Sequence, residues 1–67
     1  MEYRRDRVNV RLWHREKGKP SRCETKEVAV VEWHSSGNPV VYASEVGKGV
    51  GLYPVPPGAW SGIAVAV

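Results

Sequence analysis

The sequence predicts an all-β single domain, a small barrel or curled antiparallel sheet of about five short strands. Three observations carry this reading. β-Branched and aromatic residues gather in short runs, the side chains that suit a pleated surface. Clusters of Gly, Pro, Ser and Asn separate those runs, as turns separate strands. No segment keeps the i, i+3, i+4 spacing of an apolar helix face. The chain of 67 residues makes one domain, residues 1–67, and one this short buries only roughly 60% of the surface its unfolded form exposes. Its core is marginal, so self-association or docking on a larger partner is an expected support.

Residues 1–6 form a polar arm with Tyr3 as its one large apolar group, a flexible tail or a short helical turn. Residues 7–14 alternate, with Val8, Val10 and Leu12 on one face and Arg7, Asn9, Arg11 and Trp13 on the other. Period two marks a half-buried strand. Gly18 and Pro20 among charges make 16–21 a turn or exposed loop.

Residues 28–33, Val-Ala-Val-Val-Glu-Trp, are the strongest strand signal in the chain. Val28 and Val30 share one face, and Ala29, Val31 and Trp33 the other. Apolarity on both faces points to a central strand over 25–34, covered on both sides. Ser35-Ser36-Gly37-Asn38-Pro39 is a turn. Residues 40–43 form a short strand, and the glycines of 46–50 suit a tight turn or bulge. Leu52 and Tyr53 form another strand that Pro54 ends, and Pro56-Pro57 lacks two successive donors, which keeps it out of a sheet. Residues 63–67 close the fold as a strand with Ile63, Val65 and Val67 on one face. Val-x-Val-x-x-Trp-His occurs at 8–14 and again at 28–34. Two copies are too few for a repeat architecture, and we read the echo as coincidence.

The single cysteine, Cys23, excludes an internal disulfide and removes the case for a secreted, disulfide-stapled scaffold. No run of about 18 apolar residues exists to span a membrane, and the first residues lack the apolar core of a signal peptide. The expected location is intracellular, in the cytoplasm or a virion, with no membrane partner. His14, His34 and Cys23 lack the close ligand pairs of a metal site, so no metal and no cofactor are expected. There is no paired-carboxylate set, no Ser-His-Asp spacing and no phosphate loop: Gly47-Lys48-Gly49 lacks the Walker pattern. A non-enzymatic protein is the expectation.

Charge is unevenly spread. Nine of the ten basic residues lie in the first 26 positions, leaving about +5 there, while the remainder is nearly uncharged and apolar. Arg7, Arg11, Trp13, Arg15, Lys17 and Lys19 combine cations with an aromatic ring, the mixture that neutralises phosphates and stacks bases; the plainer reading is a solvated face or one turned to an acidic protein surface. In the apolar half, Leu52, Tyr53 and Trp60 are candidate partner-binding residues. Trp60 follows Pro-Pro-Gly-Ala in a loop, where a large aromatic serves as a lid on the core or as an anchor in a partner's groove.

Val40-Val41, Val46-Gly47, Val50-Gly51-Leu52, Pro57-Gly58-Ala59, Gly62 and Ala64-Val65 together resemble the closing half of small bacteriophage capsid decoration, or cement, proteins. The resemblance covers about 28 of the 67 residues. It implies a β-rich domain that docks on the outside of an assembled head and reinforces it. The family's longer N-terminal portion has no counterpart here, and no functional residue transfers. Two expectations follow: a structural docking protein bound to a larger assembly or to itself, and, from another class, a small basic β-barrel that binds nucleic acid.

Overall fold

The computed structural model describes residues 2–65. Six strands follow in order: β1 (Tyr3–His14), β2 (Arg22–Ala29), β3 (Glu32–Trp33), β4 (Pro39–Tyr42), β5 (Leu52–Pro54) and β6 (Trp60–Ala64), with a 3₁₀ turn over Ala43–Val46. They build two antiparallel three-stranded sheets, ordered β2-β1-β6 and β3-β4-β5. The all-β expectation holds. Among the described residues the ladders leave β2, β6, β3 and β5 as edges, so they close no barrel.

The central strand of the first sheet is β1, and its alternation is the one the sequence shows. Val8 and Val10 are buried inward, Leu12 is half-buried against the core, and Arg11 and Trp13 stand on the exposed outer face. A contiguous core forms from Val8, Val10 and Val28 of the first sheet with Val41, Val46 and Val55 of the second half.

The stretch expected to be a single central strand is broken instead. β2 ends at Ala29, the chain bends, and β3 begins at Glu32. The Val30 N–H donates to the Asp6 carbonyl at 2.9 Å in the first sheet, and the Val31 N–H donates to the Val40 carbonyl at 2.8 Å in the second. Apolarity on both faces therefore reflects a change of sheet rather than cover on both sides: Val28 is buried while Val31 is 39% exposed. The Trp33 indole N–H then donates to the Arg5 carbonyl at 2.9 Å and stitches the second sheet back onto β1.

Three further expectations are corrected. From Tyr3 onward the polar arm is part of β1, because the Val65 N–H donates to the Glu2 carbonyl and Tyr3 lies opposite Ala64. The closing strand starts at Trp60, earlier than the expected 63–67, because the ladder with β1 begins directly after the Pro56-Pro57-Gly58 turn: the Ala59 carbonyl accepts from the Arg11 N–H, and Trp60 faces Val10. Ala66 and Val67 lie outside the described residues. The 3₁₀ turn was not expected; Gly47 ends it with φ +69°, a torsion glycine adopts without steric penalty.

Candidate functional site

β1 extends past its partner on one side. Its pairing with β6 ends where Arg11 meets Ala59, whereas its pairing with β2 continues through Trp13 opposite Cys23 and His14 opposite Arg22. Beyond Arg11, among the described residues, the two strands and their connecting loop therefore form an arm held by one backbone ladder and by Leu12 against the core. The molecule measures 44 × 27 × 18 Å, and a twelve-residue strand at ~3.4 Å per residue accounts for most of the long dimension.

The arm carries the molecule's charge. Residues 11–24 hold five basic and two acidic side chains, equal to the whole formal net charge of +3, and the five basic and five acidic groups elsewhere cancel. Much of that cancellation is local: Arg4 pairs with Asp6 at 3.0 Å, Arg7 with Glu27 at 2.5 Å and Lys26 with Glu45 at 3.6 Å. Hydrogen bonding from Arg4 holds the Asp6 carboxyl below its ordinary range and raises the Arg4 guanidinium.

The sequence-derived basic set divides accordingly. Arg7 is neutralised by Glu27, and Arg11 donates to the Gly58 carbonyl, fixing the base of the arm to the turn before β6. Lys19 pairs with Glu16 at 3.3 Å in the loop. Among the described residues Arg15 and Lys17 have no carboxylate within 4.0 Å, nor has Arg22 at the end of the same loop. Trp13 stands 64% exposed on the outer face beside Cys23. Arg11, Trp13, Arg15, Lys17 and Arg22 are thus brought onto one protruding element, and Arg7 is not.

The apolar candidates separate as well. Trp60 is half-buried against the core; its indole N–H donates to the Asn38 side-chain oxygen at 3.0 Å, and its ring meets Trp33 edge-on with centroids 5.5 Å apart. Trp60 is seated as a lid on the core, with part of its ring still at the surface. Tyr53 is half-buried beneath the Lys48 ammonium, 5.8 Å from its ring centre. Leu52 is 52% exposed. Tyr42, directly opposite Leu52, and Val50 are also exposed, although their apolar character places them with the core in a sequence reading.

Comparison with protein families, with curated proteins and with solved structures returned no match. The site therefore rests on its own geometry.

A second concave feature lies at the start of β1. Tyr3, Trp33, Trp60, Arg5 and His34 contribute to an open cleft of about 970 Å³. The Arg5 guanidinium lies 5.9 Å from the Trp33 ring centre, and both indole N–H groups are already engaged. Sequence reasoning missed this cleft because its aromatics come from three distant stretches with no shared spacing. His34 hydrogen-bonds Ser36 in the following turn, and His14 pairs with Glu24 on the arm. Among the described residues no three His, Cys, Asp or Glu side chains converge as metal ligands.

Proposed function

We propose that the protein is a non-enzymatic binding module that engages single-stranded nucleic acid through the β1–β2 arm. The observation that supports this most is that the full net charge sits on a protruding hairpin that also exposes Trp13. Arg11, Arg15, Lys17 and Arg22 neutralise phosphates, and Trp13 offers a flat ring for a base; every base has a stacking face, so such contacts tolerate sequence. Fluorescence anisotropy of a labelled oligonucleotide against salt tests this. Four contacts at ~0.7 counterions each give a slope of log K against log salt near −3. Trp13→Ala weakens binding by roughly 1–3 kcal/mol. A folded protein that does not bind at low salt, or binds independently of salt, defeats the proposal.

The second reading is a structural protein that docks on a larger protein assembly, as the resemblance to capsid decoration proteins suggests. Its support is the apolar surface formed by Tyr42, Leu52 and Val50, the last 95% exposed. In that case Leu52→Asp abolishes association with the assembly, and Trp13→Ala leaves it intact.

A further inference from the structure

The outer edge of β2 is written to pair with itself. In the β1–β2 ladder Val30 donates to Asp6 directly opposite, and on the far side of β1 Arg11 donates to Ala59. From Asp6 to His14 the even-numbered residues of β1 therefore exchange hydrogen bonds with β2, while Asn9 and Arg11 exchange them with β6. It follows that the even residues of β2 bond to β1, while Cys23, Thr25, Glu27 and Ala29 point their N–H and C=O groups outward. Those four residues are exposed, and among the described residues no strand neighbours them on that side. An open eight-residue edge is a template for another strand.

We infer that a second copy of this chain pairs antiparallel along β2, about a two-fold axis at Thr25. Charge selects both the occupant and the register. With Thr25 opposite its own copy, Glu24 faces Lys26 of the second chain and Lys26 faces its Glu24. These two symmetry-related pairs occupy the narrow positions that exchange no hydrogen bonds, where side chains approach most closely. Thr25 meets Thr25, a favourable cross-strand pair. Moving the axis to Glu24 or Lys26 sets like charges directly opposite one another, which is destabilising. The register at Thr25 also pairs residues 22–28 along nearly the whole of β2. The contact is isologous and closes at two copies, and it joins the two first sheets into one of six strands. The two arms then leave the axis in opposite directions, which separates their positive ends.

Sedimentation equilibrium without nucleic acid, on the wild type, Glu24→Lys, Lys26→Glu and the double reversal, tests the register. The wild type is expected to dimerise. Each single reversal turns both symmetry-related pairs into like-charge pairs and weakens the dimer roughly tenfold or more. The double reversal restores complementarity and recovers the dimer. His14 and Glu45 touch these residues within the chain, and neither contact predicts that recovery. Thr25→Cys in a Cys23→Ser background supplies an independent readout. Facing residues of a hydrogen-bonded antiparallel pair lie ~5.5 Å apart between Cα atoms, within the span of a disulfide, so oxidation yields a covalent dimer. A monomer at high micromolar concentration overturns the inference. So does a double reversal as dissociated as either single variant.

Discussion

Gly62 is the glycine with the least room for a side chain among the described residues. It lies in β6 inside the first sheet, and a Cβ added there would stand 2.8 Å from the Tyr3 Cδ1 and 3.3 Å from its Cγ. The contact falls near the root of the ring, so a side chain at 62 displaces Tyr3 as a whole. Tyr3 is 57% exposed, which gives it somewhere to go and keeps the penalty near the low end for overpacking, about 1 kcal/mol. Gly62→Ala is expected to destabilise by that amount in chemical denaturation and to cost almost nothing in a Tyr3→Ala background. A penalty unchanged by the second substitution would place its origin in the backbone. Asp6 provides a second test at this scale. Its carboxyl lies below the ordinary value of 3.8, first through the hydrogen bond from Arg4. The pair therefore contributes in full above the unfolded value, and its contribution is lost as pH falls through the folded one. Arg4→Ala should return the Asp6 midpoint, followed by NMR, towards 3.8; an unmoved midpoint would show that Arg4 is not the cause.

Among the elements, residues 7–14 of β1 are readable because they stay in one sheet: Val8, Val10 and Leu12 pack inward and the polar residues between them do not. Residues 28–33 escape a periodicity count because the chain changes sheets within them. Val30 and Val31 donate to different sheets in consecutive positions, and each takes a face appropriate to its own. The arm's basic composition was visible, but its protrusion depends on where β6 stops, a property of pairing between chain ends. The core also fits this scale, since the six buried members of its contiguous cluster are all valine. Val10 sits 2% exposed between the two sheets. Val10→Ala removes two methyl groups at ~0.8 kcal/mol each before any cavity forms, so a loss of about 2 kcal/mol is expected from urea unfolding. That is a large part of the roughly 3–10 kcal/mol available to a chain of this length. A loss under 0.5 kcal/mol would mean that the sheets close over the gap.

For the whole molecule, the division between a neutral, valine-cored body and a charged arm makes the two separable. The even-numbered residues exchange hydrogen bonds across the β1–β2 ladder, so Leu12 and Glu24 form a hydrogen-bonded pair. Such a pair is the correct base for a two-residue type I′ turn, for which Asn-Gly is the preferred sequence. Replacing residues 13–23 with Asn-Gly therefore ends the hairpin at Leu12 and Glu24 without altering the register of Val8 against Val28 or Val10 against Lys26. The deleted segment includes Arg15, Lys17, Lys19 and Arg22 against Glu16, so the net charge of +3 falls to zero. None of the core residues is removed. The shortened protein is expected to fold cooperatively with a melting temperature within a few degrees of the parent, since only exposed and half-buried side chains are lost. Oligonucleotide binding should fall below detection at moderate salt, because Arg15, Lys17, Arg22 and the stacking ring of Trp13 go together and only Arg11 of the proposed contacts remains. Retained binding would move the interface off the arm, and the cleft of Tyr3, Trp33, Trp60 and Arg5 would become the place to look. Loss of the fold would show instead that the arm's ladder with β2 is needed to hold the first sheet together.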